Sequence, residues 1–272
     1  RRYAGLDLSG TEVADGDLAA LAGLVELREL HLDHTRVTDA GLEHLSRLTG
    51  LVVLRLTGTR VAGAGLARLA GLTSLEELSL PRQVGDESLV HLAGLANLRV
   101  LDLSGTAVSD EGLVHLSSLR SLVHLDLART SVRGPGLSAL GCRGLEELRL
   151  EATPFEESGL LLLAAFPSLR RLDLRHARAV TGRTLPDLPV LEWLDLSGTG
   201  AVEPPSGRLP ALRRLAMAET SIDDLAGLAV RSGLEALSLA SCPRIEDDDL
   251  LDLERLPSLA WLDLQGTAIT DE

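Results

Sequence analysis

The pattern Leu-x-Leu returns along this chain at a nearly constant interval. Its first leucine falls at Leu6, Leu30, Leu54, Leu78, Leu101, Leu125, Leu148, Leu172, Leu194, Leu215, Leu237 and Leu262, with steps of 21 to 25 residues. Such a period overrides the usual expectation of one or two globular domains for 272 residues. A unit of about 24 residues cannot bury an apolar face alone and must stack on its neighbour. Alternation across LxL sends two leucines inwards and the residue between them outwards, which predicts one strand per repeat and twelve strands in all. After each strand comes a slot that is mostly Thr, then a β-branched residue such as Val37, Val61, Val108 or Ile222. An acidic or small polar residue before Gly-Leu follows, and then leucines at i, i+3 and often i+6, as in Leu42, Leu45 and Leu48. That order predicts a turn followed by a short helix with one buried face, for which Asp39, Asp110, Asp224 and Asp248 are well placed as N-caps. The hydroxyl of the Thr slot can bond turn backbone, giving a ladder from repeat to repeat.

The best copies, LRELHLDHTRVTDAGLEHLSRL (27 to 48) and LRVLDLSGTAVSDEGLVHLSSL (98 to 119), resemble the leucine-rich repeat family, and the resemblance extends over essentially the whole chain. Thr fills the slot where that family usually has Asn or Cys. Cys242 stands in the same slot, in a repeat similar to the cysteine-containing and ribonuclease-inhibitor-like subclasses. The resemblance implies an α/β solenoid, with a curved parallel sheet on the concave side, short helices on the convex side, and a role in protein recognition. Residues 1–272 are expected to form a single repeat domain, regular over 1–171, shorter and Pro-containing over 172–233, and regular again over 234–272. It is expected to be a fragment of a longer chain, since Tyr3 precedes a strand without a cap and ITDE stops where a helix should start.

Composition narrows the function. Aromatic residues make up only 2% of the chain, so Leu and Ala fill the core, and the net charge of −14 argues against nucleic acid, whose binders present a basic face. Every one of the 26 basic residues is Arg; the parallel scarcity of Asn, Ile, Met and Tyr makes codon usage the simplest cause. Cys142 and Cys242 lie several repeats apart, roughly 20 Å at strand spacing, beyond disulfide reach. Two unpaired thiols point to a reducing, cytoplasmic setting. Charge or Gly breaks every long apolar run, so no membrane span or signal peptide is visible in the sequence, whose N-terminus, beginning almost on a repeat strand, is uninformative on the latter.

Catalytic and metal-binding constellations do not assemble well. His44, His91 and His115 share one helix slot, but a solenoid displays equivalent slots as an open line, whereas a metal needs converging ligands. His31, Asp33 and His34, and the pair His124 and Asp126, could each mimic a base and its carboxylate, yet no nucleophile is predictably beside them. Glu246 to Asp249 lack the spacing of a calcium loop and suit capping. No phosphate-cradling Gly motif is present. The expectation is therefore a non-enzymatic protein with no cofactor and no metal, binding a protein or peptide.

The register also lists what the strands turn outwards. Both tryptophans fall on that face: Trp193, expected between Arg171 and Arg214, with Arg149, Asp173, Arg175 and Asp195 close by, and Trp261 near the end. His124 and Asp126 complete the candidate surface. Trp and Arg most often dominate binding energy, although a Trp between two guanidiniums also gains cation–π energy without any partner. A recognition segment of a larger signalling protein or enzyme, such as a kinase or ubiquitin-ligase-like protein, is the alternative reading, and a passive spacer is a third. On the opposite side, Pro204 and Pro205 are expected to abolish one helix, to leave Val202 in the buried slot, and to flatten the curvature over 172 to 233.

Overall fold

A computed structural model describes residues 4–228 and 230–270. The uncapped start at Tyr3 and the end of the chain at Glu272 lie outside the described residues. The chain forms two compact units, Arg1–Ser131 with Ser138–Gly144, and Val132–Leu137 with Leu145–Glu272. The first carries β1 (Ala4–Asp7), β2 (Leu27–His31), β3 (Val53–Arg55), β4 (Glu77–Ser79), β5 (Val100–Asp102) and β6 (His124–Asp126). The second carries β7 (Glu147–Arg149), β8 (Arg171–Asp173), β9 (Trp193–Asp195), β10 (Arg214–Ala216), β11 (Ala236–Ser238) and β12 (Trp261–Asp263).

Within each unit the strands are parallel, follow chain order, and pair leucine on leucine: Leu30 with Leu54, Leu54 with Leu78, Leu172 with Leu194, Leu194 with Leu215. This is the leucine-rich repeat α/β solenoid. The LxL leucines from Leu30 to Leu239 are almost wholly buried, whereas Leu262, on the last strand, is exposed. Phe155 takes the β-branched slot of its repeat, fully buried, and a Cβ on Gly159 would stand 2.7 Å from its ring.

The convex elements are mostly 3₁₀ turns, not α-helices: Gly41–Leu45, Ala64–Leu69 and Asp86–Leu92 are examples, and α-helix is confined to single turns such as Asp110–Leu113 and Glu157–Leu160. Three residues per turn places leucines spaced by three directly above one another, so the i, i+3, i+6 pattern suits a 3₁₀ turn better than an α-helix.

The Thr slot also differs from expectation. Thr35, Thr59, Thr106, Thr130 and Thr153 each donate to the carbonyl three residues earlier, at 2.6–2.7 Å, and so close their own turn without linking repeats. Backbone amides link the turns, as His34 N to Thr57 O at 2.7 Å. Among the described residues only the Cys242 slot behaves as a rung, its Sγ lying 3.1 Å from Met217 O and 3.4 Å from Thr220 Oγ1 of the preceding repeat.

The acidic residue before Gly-Leu does not serve as an N-cap in most repeats; it reaches forward to the next one. Asp15 accepts from Thr38 N (2.7 Å) and Thr38 Oγ1 (2.6 Å), and Asp86 accepts in the same way from Ser109 N (2.7 Å) and Ser109 Oγ (2.6 Å). Asp39 accepts from Ala62 N and Gly63 N. Ser109, not Asp110, caps its helix, accepting from Glu111 N. Asp224 does accept from Ala226 N at the start of its turn. Asp248 is not the cap of its turn: Asp249 bonds back to Glu246 N, and Asp247 clasps Thr270. The forward clasp explains the glycine in the motif. A Cβ on Gly41 would stand 2.5 Å from Asp15 Oδ1, and one on Gly112 would stand 2.3 Å from Asp86 Oδ1.

No helix forms between β8 and β9 or between β9 and β10. The two helix-less segments bond to each other: Ser206 N to Gly182 O (3.2 Å), Leu188 N to Arg208 O (3.2 Å), and Arg208 N to Asp187 Oδ1 (3.0 Å). Gly207 permits the approach, since a Cβ there would lie 2.3 Å from Pro186 O. Ala201, fully buried, holds the slot expected for Val202, which is only half-buried. Cys142 and Cys242 are free and buried, and burial pushes the Cys142 thiol up to about 11.

Candidate functional site

Register sets the candidate face of the second unit. Arg171, Trp193 and Arg214 are side by side on β8, β9 and β10, with Ala236 and Trp261 next in the same row. The row one step along the strands is Arg149, Asp173, Asp195 and Ala216. His124 and Asp126 lie on β6, in the first unit.

Most charges near Trp193 are matched within the fold. At the leading edge of the strands, Arg170 pairs with Glu192 and Arg213 with Glu235. On β7, Arg149 Nε meets Glu147 at 2.8 Å. Arg175 is the centre of a network, with Nη2 at 2.7 Å from Asp173 Oδ2 and 2.9 Å from Glu151 Oε2, and Nε at 3.0 Å from Asp173 Oδ1 and 3.9 Å from Asp195 Oδ2. Asp173, which the strand pattern turns outwards, is buried. Its carboxylate, first by hydrogen bonding, holds Arg175 more firmly protonated than an ordinary guanidinium. Burial pushes the Asp195 carboxyl above its ordinary value, with the Asp173 charge adding, against the lowering bond from Ser197 N and the attraction of Arg175.

The strand aspartates share a local role. Asp102, Asp126, Asp173, Asp195 and Asp263 each accept from the amide two residues on, at 2.8–3.1 Å, fixing the departure of the chain from the strand. This Asx-turn geometry belongs to the repeat, and it accounts for Asp126, Asp173 and Asp195 before any partner is considered.

Arg171 and Arg214 remain. Both are exposed, and neither has a carboxylate partner among the described residues. Arg171 Cζ lies 5.6 Å from the centroid of the half-buried Trp193 ring, within cation–π range. Trp261 is 54% exposed. The row thus holds two tryptophans, separated by Arg214 and Ala236, and two guanidiniums without an ion-pair partner among the described residues, in a chain whose net charge is −14.

The other sequence candidates are placed as follows. His31 Nδ1 lies 4.0 Å from Asp7 of the preceding strand, and Asp33 accepts from Thr57 N. His44, His91 and His115 are half-buried on convex turns, those of His91 and His115 being neighbours while the turn Ala64–Leu69 separates His44 from His91. No group of three or more His, Cys, Asp or Glu among the described residues could hold a metal ion, and none of their helices is long and apolar enough to cross a membrane.

The repeat geometry has counterparts among known proteins. A family model described as Leucine Rich repeat matches residues 27–46, 94–117 and 118–141. Among solved structures, an internalin from Listeria monocytogenes is similar with a TM-score of 0.70 and 20% identity, over 99% of this chain and 82% of that one. A TDR receptor is similar with a TM-score of 0.66 and 16% identity, over 95% of this chain and 47% of the receptor chain. No curated protein matches the sequence significantly. The chain is thus built of leucine-rich repeats, an architecture whose stacked strands form an extended binding surface in repeat proteins.

Proposed function

We propose that this chain is a non-catalytic module that binds a protein or peptide on the strand face of its second unit, with Trp193 as the anchor. The observation that carries this reading is the contrast in charge matching around that ring. Arg149, Arg170, Arg175 and Arg213 are all paired with carboxylates, whereas Arg171 and Arg214, the two that flank Trp193, are not. A structural stack alone explains Arg171 but leaves Arg214 unused. An acidic partner segment supplies the missing carboxylates, and desolvation under an aromatic side chain strengthens each charge-assisted bond.

The second reading keeps this surface and makes it the recognition segment of a larger signalling protein or enzyme. The likeness to a receptor of which the matched part is 47% of the chain supports it. A contiguous catalytic domain in the extended coding sequence would favour it over a stand-alone module.

Panning a random peptide library against the intact chain tests the surface. Enriched peptides are expected to carry Asp or Glu, and Trp193→Ala or Arg214→Ala is expected to weaken them by roughly 2 kcal/mol, about thirty-fold. Peptides that bind both variants as tightly as the parent would place the docking site elsewhere.

A further inference from the structure

Arg231 is a charge that the repeat pattern does not account for. It is only 8% exposed, and it reaches from the turn after Ala226–Leu228 towards the helix-less segment of the preceding repeat. Nη2 donates to Pro205 O and, at 3.4 Å, to Gly207 O, while Nη1 lies 3.5 Å from Gly207 O. The guanidinium thus serves carbonyls that a helix would have bonded. Its Nε, buried, has no acceptor, and no carboxylate pairs with Arg231 among the described residues. Burial holds its pKa below the ordinary guanidinium value. An unpaired buried charge costs several kcal/mol, which a counter-charge at contact offsets.

A cleft of about 860 Å³ opens at this side chain, in the size range of small-molecule sites. Pro204, Pro205, Leu209 and Pro210 give it an apolar wall, and its charged lining is Asp187 against Arg208 and Arg231, one net positive charge. Prolines have no amide hydrogen. The three prolines of the wall therefore offer no N–H to a phosphate or another dianion, and the planar guanidinium suits a two-oxygen acceptor.

We propose that this cleft binds a small organic monocarboxylate with an apolar body, the carboxylate pairing with Arg231 and the body lying on the proline wall. The site is on the convex side of the short repeats and is independent of the Trp193 face.

Titration calorimetry of the intact chain with octanoate, octan-1-ol and octyl phosphate tests it. Saturable octanoate binding is expected, with the alcohol and the phosphate ester each roughly ten-fold weaker or more. Arg231→Met is expected to lose octanoate binding, with circular dichroism showing whether the variant folds. Since that variant also gives up the bonds to Pro205 and Gly207, a second measurement uses the unaltered chain: octanoate, but not octanol, should shift an arginine Nε–H resonance in a ¹⁵N spectrum. Absent saturation, octanol or octyl phosphate binding as tightly as octanoate, unchanged affinity in folded Arg231→Met, or no Nε–H shift would each overturn the proposal.

Discussion

The residue just before the Thr slot decides how each strand ends. In most repeats this position has a positive φ, and Gly fills it at Gly10, Gly58, Gly105, Gly198 and Gly266. His34, Arg129, Ala152, His176, Glu219 and Ser241 fill it elsewhere with φ of 54–59°. An L-residue in the left-handed region costs roughly 1–2 kcal/mol, which Gly avoids at a smaller loss of unfolded-state entropy. Ala152 is exposed, and its amide bond to Arg175 O does not involve the side chain. Ala152→Gly is thus expected to stabilise the chain by roughly 0.5–1 kcal/mol, read as a higher melting temperature; a lower one would contradict the strain argument. Carboxylate protonation gives a second prediction of opposite sign at two residues. Glu157 is pushed up by burial but more strongly held down by the amides and hydroxyls of Thr181 and Thr184. Its contribution to stability is present above the unfolded carboxyl pKa and is lost as pH falls through the lower folded value. Burial raises Asp195 instead, so its ionised form opposes folding, and that cost fades as pH falls through the raised pKa. Glu157→Gln should therefore be destabilising at pH 7 and converge on the parent in acid. Asp195→Asn, which keeps an acceptor for Ser197 N, should be at least as stable as the parent at pH 7. Denaturant midpoints across pH check both.

At the scale of the element, the strands were legible because a period of two admits one register in which every leucine points inwards. The convex turns were legible as short helices with a leucine face; their 3₁₀ character follows from the three-residue spacing of the leucines, which fits that geometry better than an α-helix. The forward clasp was missed because its partners sit 23 residues apart and differ between repeats, Thr38 with Asp15 and Ser109 with Asp86. The signal available for it was the glycine two or three residues after each acidic or hydroxyl residue, a residue that a helix with ordinary caps does not require. Asp86 cannot swing aside for a Cβ at Gly112 while it holds both Ser109 N and Ser109 Oγ. Gly112→Ala is expected to cost roughly 1–3 kcal/mol. In an Asp86→Ala background most of that penalty should disappear, a coupling of about 1 kcal/mol or more in a double-mutant cycle. Additive losses would mean that glycine and carboxylate act separately.

At the scale of the molecule, the neighbours of Trp193 were legible from register alone. The absorption of Arg175 by Asp173 and Glu151 was not, because it depends on rotamers, and Arg231 carried no motif at all. Repeat proteins gain stability mainly from contacts between adjacent repeats, so local loss of convex packing lowers the local opening energy. The second unit has two successive repeats without a helix, held on that side by loop bonds and by the unpaired Arg231 charge, whereas in the first unit 3₁₀ and α turns stack from Asp15 to Leu116. Each unit contains one buried free thiol, Cys142 in the first and Cys242 in the second. A thiol reagent reaches either one only when its repeat opens, so labelling rates, divided by those of the denatured chain, report the two units separately. Cys242 contacts Met217 and Thr220, which follow β10 directly after the helix-less segments, and it is expected to label the faster of the two under native conditions. Equal protection at both thiols, rising together with global stability, would show instead that the weak convex side of the short repeats opens only with the whole chain.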